Sequence, residues 1–434
     1  MTSNDDPQEC FVYITLPGRT EFVTAGRFVL ETDRTGVSIG RFVYGKTYLE
    51  RQEAVPIDPV ELKLAQMTYQ TTALKGVFGA LRDAGPDYWG RRVIEKHSGK
   101  PALNEIDYLL YAPDDRAGAL GFGLGPKPPA PKRKFNKTLD LEKLQSLADA
   151  IIADEEVPGG PEAGQVEDLM LIGTSMGGAR PKAVVEDDEG LWIAKFNRPD
   201  DKWNYARVEH TMLELARACG LNCAHSRVST IGDRDVLLVK RFDREKENKG
   251  YVRARMISGL TILRTEDTHQ HRDRWSYVLL AEELRRICAN PKVDAAELFR
   301  RMVFNALISN TDDHPRNHAA IAKGNDWKLS PAYDLTPSMP VSIERRDLAM
   351  NCGDWGRYAH AENLLSQSAR FHLERKEAET IITVMQDQVD KTWYETARRE
   401  GVTEKDCETI KTAFVYPGFR LPIDAVQREE VGAF

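Results

Sequence analysis

Apolar and polar positions alternate along residues 11–50, in FVYITL, FVTAGRFVLETDRTG and VSIGRFVYG, with Gly and Asp breaking the runs. A period of two turns one face of an extended chain toward a core, so this stretch predicts short strands joined by hairpins. From Glu61 to His97 the period lengthens toward helix, through ALKGVFGALRDAG and the segment beginning at Asp87. GPKPPAPKRKFNK, residues 125–137, holds four prolines and five basic residues and can propagate neither helix nor central strand. A boundary belongs there. One helix follows over 140–152, then a second breaker, EEVPGGPEAGQVED.

Beyond that breaker the order of elements carries the information. Gly173 to Gly178 reads as a glycine loop, Lys182 to Glu186 and Leu191 to Phe196 as strands, and Tyr205, Val208, Met212, Leu215 and Cys219 fall at helical spacing. Val236 to Val239 is a short apolar strand. After Gly250 the pattern is predominantly helical, notably over 276–288, 293–308 and 375–389.

The chemistry-bearing residues cluster after the second of these helices. Leu307-Ile-Ser-Asn-Thr-Asp312-Asp313-His314-Pro-Arg-Asn317-His318 is too polar and too Pro-interrupted to continue a helix, so it reads as a loop. Asp312 precedes Asn317 by five residues, the offset between base and metal ligand in the kinase catalytic loop. Asp334 follows seventeen residues later, where a second metal-binding aspartate belongs. Phosphoryl transfer needs a carboxylate to accept the hydroxyl proton and hard oxygens to hold Mg²⁺. Asp312, Asn317 and Asp334 supply that set; a solvated turn and a helix cap are the plain alternative.

Upstream, Gly173-Thr-Ser175-Met176-Gly177-Gly178-Ala179-Arg180-Pro-Lys182 offers backbone N–H groups to anionic oxygens. It is not a Walker A loop, because Ala179-Arg180 stands where Lys-Ser/Thr is required. Lys195, on the strand Leu-Trp-Ile-Ala-Lys, would neutralise phosphate charge, with a strand-edge lysine as the plain alternative; Glu209 on the following helix is either its partner or an ordinary solvent-facing glutamate. Lys240, Arg241 and Phe242 end a strand where an adenine-contacting hinge would lie.

These residues also form longer motifs. Asn-Thr-Asp-Asp-His-x-x-Asn-His, Leu-Ser-Pro-Ala-Tyr-Asp-Leu-Thr-Pro, Arg-Phe-Asp-Arg, Gly-Pro-Asp-Tyr-Trp-Gly-Arg-Arg and Asp-Arg-Ala-Gly-Ala-Leu together resemble the HipA family of toxin–antitoxin serine/threonine kinases, over nearly the whole chain. The resemblance implies an α+β, protein-kinase-like two-lobed fold with a β-rich N-terminal subdomain and an all-α C-terminal lobe. It implies ATP and Mg²⁺ as cofactors, a protein serine as acceptor, with aminoacyl-tRNA synthetases as candidate targets, and a HipB-like DNA-binding antitoxin as partner. Position by position, Asp312 resembles the catalytic base, Asn317 and Asp334 the magnesium ligands, and His314 an ATP-contacting residue. Ser175 resembles an autophosphorylated serine in a nucleotide loop that includes Met176, Gly177, Gly178, Ala179 and Lys182. Lys195 matches the ATP lysine, and Lys240, Arg241 and Phe242 the hinge. Met176-Gly-Gly-Ala-Arg-Pro departs from the Val-Ala-Gly-Ala-Gln-Glu run of other members. A DNA-contacting basic pair is half matched, at Arg370 with Gln367, so DNA is expected mainly through the antitoxin.

The expected division is an N-terminal subdomain over 1–125, a linker with one helix over 126–165, a kinase-like N-lobe over 166–240 and a helical C-lobe over 241–434. Rival readings are a catalytically silent kinase-like binding protein and a serine hydrolase, since Gly173-Thr-Ser175-Met-Gly177 satisfies G-x-S-x-G. His314 and His318 at i, i+4 spacing suggest zinc, but no third ligand accompanies them.

Composition agrees with a soluble intracellular protein of this kind. At 434 residues the chain holds two or three domains of roughly 100–200 residues. Lys and Arg total 60 against 67 Asp and Glu, a net charge of −7, which leaves no overall positive field for polyanions. The start, MTSNDDPQEC, lacks signal-peptide character, and no apolar run reaches membrane-spanning length, so a cytoplasmic location without membrane association is expected. The six cysteines are scattered and expected to be reduced core thiols.

Overall fold

The alternating N-terminal stretch forms strands β1 (Glu9–Thr15), β2 (Phe22–Thr32) and β3 (Ser38–Tyr44). With β4 (Thr68–Thr71) and β5 (Leu120–Gly123) they make one antiparallel sheet in the order β4-β3-β2-β1-β5. The alternation puts Val12, Ile14, Phe28 and Phe42 into the core. The computed structural model describes residues 8–98, 102–130, 135–153, 180–339 and 342–422.

Contacts between residues divide the chain into two units. The first comprises Met1–Arg198, Leu238–Ile257 and Ile321–Trp327; the second comprises Pro199–Leu237, Ser258–Ala320 and Lys328–Phe434. In the first unit, β6 (Asn136–Lys137) runs parallel to β7 (Lys182–Asp187), which is antiparallel to β8 (Gly190–Phe196). β8 is buried along its whole length, which explains why Leu191-Trp-Ile-Ala reads as a continuous apolar run.

Two motifs far apart in sequence interlock in this unit. Asp243 accepts hydrogen bonds from Arg241 Nε (2.9 Å) and Nη2 (2.7 Å), Arg244 Nη1 (2.7 Å) and the backbone N–H of Gly118 (2.9 Å). The guanidinium groups reach on to backbone carbonyls: Arg241 to Asp115 and Arg116, Arg244 to Arg116 and Gly118. Arg-Phe-Asp-Arg thus clasps the turn of Asp-Arg-Ala-Gly-Ala-Leu. Gly118 has φ +75°, and a Cβ there would lie 3.3 Å from the Met256 nitrogen, so the turn favours glycine twice over.

The second unit is predominantly helical, with helices Tyr205–Ala218, Tyr277–Ile287, Pro291–Leu307 and Arg375–Arg399 packing around Leu280, Phe299, Met302, Phe304, Ile382 and Val389. The last helix runs ten residues beyond the expected Val389, because Ala397 continues its buried face past a polar stretch. The expected all-α C-terminal lobe is corrected in one respect: short strands occur at Arg244–Glu247, Gly250–Arg253, Arg255–Ser258, Ala319–Ala322 and Lys328–Leu329. Their length, two to four residues, is too short to establish a period. The expected helical run over 61–97 likewise contains β4 before helices Gly79–Asp83 and Tyr88–Ser98. Strand Ser226–Ile231 has no fully buried residue and hence no apolar signature. Among the described residues no helix is long and apolar enough to cross a membrane.

Candidate active site

The site is carried by the end of one rigid helix. Pro291–Leu307 begins with Pro in its first turn and is buried without a break from Arg301 to its end. It stops at Ser309, which adopts φ +51°. The Asn310 N–H returns to the Asn305 carbonyl (2.8 Å) and the Ser309 N–H to Ala306 (3.3 Å), the paired bonds of a Schellman ending. Ser309 is held there by its own hydroxyl, which donates to the Ala413 carbonyl (2.6 Å) and accepts from Arg346 (2.6 Å).

The loop that follows turns Asp312 outward and Asp313 inward. The Asn317 amide is buried and oriented: Nδ2 donates to the Asp312 backbone carbonyl (3.4 Å), while Oδ1 has no hydrogen-bond partner. His314 Nδ1 is also buried without a partner, its ring edge-on to Trp275 at 6.2 Å. Although Asp312 faces outward, protein on its inner side strips part of its hydration and raises the carboxyl above its ordinary range; His314 opposes the shift, and the negative charges of Asp334, Asp313 and Asp267 add to it. Asp334 therefore lies within electrostatic reach of Asp312. It has φ +59°, a left-handed conformation that Asp tolerates better than most side chains and that its surroundings hold in place here. Those surroundings are visible: Tyr333 hydroxyl donates to the Arg316 carbonyl (2.9 Å), Ala332 pairs through its backbone with Asn222 (2.7 Å) and Ala224 (2.9 Å), and Ser338 N–H reaches the Ser309 carbonyl (3.0 Å).

This donor set suits a hard divalent cation. A buried amide oxygen without a donor costs stability unless a ligand satisfies it, and Asn317 Oδ1 is such an oxygen, on the loop whose Asp312 interacts electrostatically with Asp334. Magnesium keeps several waters and takes one or two protein oxygens, so Asn317 and Asp334 suffice. Among the described residues no three His, Cys, Asp or Glu side chains converge as metal ligands, and His318 Nε2 is bonded to Asp313 (2.8 Å).

Of the other expected site residues, Lys182, Lys195, Lys240, Arg241 and Phe242 belong to the first unit. Ser175, Met176, Gly177, Gly178 and Ala179 lie outside the described residues. Lys182 and Lys195 are direct partners across β7 and β8 and so share a face. Both are buried, and Lys182 Nζ is paired with Asp87 Oδ2 at 2.6 Å. Asp87 Oδ1 meanwhile accepts from the Gly90 N–H (2.8 Å), capping helix Tyr88–Ser98. The Arg241 side chain is consumed by the Asp243 clasp, and its N–H donates to the Leu191 carbonyl (2.9 Å). Lys240 stays partly exposed, 3.6 Å from Glu189 and 5.5 Å over the Trp192 ring. Phe242 lies between the two clasp residues and is partly exposed. Glu209 is buried on helix Tyr205–Ala218, in the second unit. Sequence reasoning gave no structural role to Asp313, His318 or Asp243, although each lies in a quoted motif, and it did not single out Tyr277, which lies in none of them.

Family models match residues 23–123, as the HipA N-terminal domain, and residues 174–393, as the HipA-like C-terminal domain. A Sinorhizobium fredii protein named "Putative kinase Y4mE" is 26% identical over 408 residues, covering 82% of this chain and 89% of its own. A Haemophilus influenzae protein named "Putative kinase" is 26% identical over 234 residues, covering 49% of this chain and 67% of its own. A chain of the Shewanella oneidensis toxin–antitoxin complex of HipA, HipB and operator DNA superposes with a TM-score of 0.64 at 18% identity, over 97% of this chain and 94% of that one. The fold is thus the α+β, protein-kinase-like fold expected from the sequence. With half of its length matched by the C-terminal domain alone and a further hundred residues by the N-terminal one, the chain belongs to the HipA family.

Proposed function

We propose that this chain is an ATP-dependent serine/threonine protein kinase acting as the toxin of a HipA–HipB type module. The observation that carries the reading is the buried, partnerless Oδ1 of Asn317, five residues after an Asp312 carboxyl that feels the charge of Asp334. Relatives named as kinases support the reaction class.

In this reading Asp312 orients the acceptor serine hydroxyl and takes its proton as the oxygen bonds to the γ-phosphorus and ADP leaves; solvent later receives the proton. Its raised affinity for protons suits a base that must accept one and release it. Asn317 and Asp334 would hold Mg²⁺, which when bound would neutralise charge on the transferred phosphoryl group. Lys195 stands for the phosphate-binding lysine. Because the Arg241 side chain is occupied, the hinge at Lys240–Phe242 would meet adenine through its backbone. Ser175, in the glycine loop, is the proposed site of self-phosphorylation. The Shewanella chain is solved with HipB and operator DNA, and we extend a HipB-like antitoxin, and DNA contact through it, to this chain. The acceptor is a protein of the same compartment, with aminoacyl-tRNA synthetases the first candidates to examine.

The test is incubation with γ-labelled ATP, Mg²⁺ and cell lysate, followed by phosphosite mapping. Label on a protein serine or threonine, absent with Asp312→Gln, is the expected result; no transfer by the wild-type protein overturns the reading.

A further inference from the structure

The loop offers two adjacent aspartates that do opposite things. Asp312 opens toward solvent, whereas Asp313 is only 1% exposed. Asp313 Oδ2 accepts from the Tyr277 hydroxyl and from His318 Nε2 (2.8 Å). Tyr277 is itself fully buried, accepts from Asn305 Nδ2 (3.3 Å), and lies edge-on to the His318 ring at 5.5 Å. Asn305 Oδ1 accepts in turn from Asn310 Nδ2 (3.0 Å). Helices Tyr277–Ile287 and Pro291–Leu307, the start of the loop and its end are therefore joined in one chain of hydrogen bonds running through the Tyr277 hydroxyl and the Asp313 carboxylate.

The register of this junction matters. Asp313 and His318 are the residues immediately after Asp312 and Asn317, and both pairs are separated by five residues. The Asp313–His318 hydrogen bond therefore closes the backbone segment that carries Asp312 and Asn317. The far side of His318 is held as well, since its carbonyl accepts from the Gly259 N–H (2.7 Å). Its Nδ1 is buried without a partner, so the ring is committed to Asp313.

We propose that the buried Asp313–His318 hydrogen bond, anchored by Tyr277, is a clamp that sets the separation of Asp312 and Asn317, making these three positioning residues for the metal-bound nucleotide. The proposal rests on the kinase reading above for its consequence, and on the buried geometry for its existence. Groups that orient a metal ligand from behind typically change affinity or rate by about 10–100-fold when removed.

The experiment compares wild type with Asp313→Asn, His318→Gln and Tyr277→Phe. Amide hydrogen exchange in ligand-free protein should show residues 311–318 exchanging faster in Asp313→Asn while helix Pro291–Leu307 keeps its protection. Calorimetric titration with ADP should show binding weakened about 10–100-fold in the presence of Mg²⁺ and unchanged without it. His318→Gln, whose amide can still donate to Asp313, should recover most of the loss. Tyr277→Phe keeps the ring packing and serves if Asp313→Asn does not fold. Wild-type exchange and Mg²⁺ dependence in the folded variants would overturn the clamp. Because neither readout needs phosphate transfer, an inactive wild-type protein refutes the kinase reading without deciding this one.

Discussion

Replacing Asp243 by Asn tests whether the clasp between the N-terminal motif and the residues after the hinge strand holds the first unit together. The carboxylate and the Arg241 side chain have no solvent exposure, and Arg244 has 2%. Four donors converge on the carboxylate, at 2.7–2.9 Å. Asparagine keeps the shape, removes the charge and turns an NH₂ toward a guanidinium donor, leaving two buried cations without their anion. Breaking a buried ion pair in this way costs about 3–5 kcal/mol. Urea unfolding at pH 7 should show a loss of that size for the transition of the first unit, with the slope unchanged. The two guanidinium groups hold the Asp243 carboxyl well below the usual carboxylate range, against the opposing effect of burial. A carboxyl depressed in the folded state stabilises above its unfolded pKa of about 3.9 and loses that contribution as pH falls toward its folded value. Below about pH 4 the wild type should therefore lose stability faster than Asp243→Asn, by about 1.4 kcal/mol per pH unit, and the two curves should converge. A difference under about 1 kcal/mol at pH 7, or one that stays constant down to pH 3, would refute the reasoning.

Three further outcomes are expected. The acid limb of the kcat/KM profile should lie above the ordinary carboxylate range, because enclosure raises Asp312 and the base works only when ionised; a limb at or below that range removes Asp312 from the role. Gly259→Ala places a Cβ 2.4 Å from the Pro315 carbonyl and should cost about 1–3 kcal/mol by urea unfolding while lowering kcat through displacement of the loop; wild-type stability and rate would show that the loop yields freely. Lys182→Met should leave Asp87 buried and unpaired, lowering stability by about 3–5 kcal/mol with little change in KM for ATP; a large rise in KM at unchanged stability would return Lys182 to the nucleotide site.

What the sequence determined by itself was local. The period-two stretches became β1 to β3, and the 3.6-residue periods became helices Tyr205–Ala218, Tyr277–Ile287 and Pro291–Leu307, because a side chain's burial in such elements depends on neighbours two to four positions away. The polar loop after Pro291–Leu307 was legible for the same reason. Partner identity was not local. Asp312 and Asp313 are chemically identical neighbours, and only Tyr277 and His318 make one of them inward and structural. Lys182 and Arg241 carry cations suited to phosphate, yet Asp87, ninety-five residues away, and the 115–118 turn engage them in the folded chain. Charge and hydrogen-bonding capacity are written in the residue type, whereas which group satisfies them depends on distance across the fold, and that only tertiary structure decides.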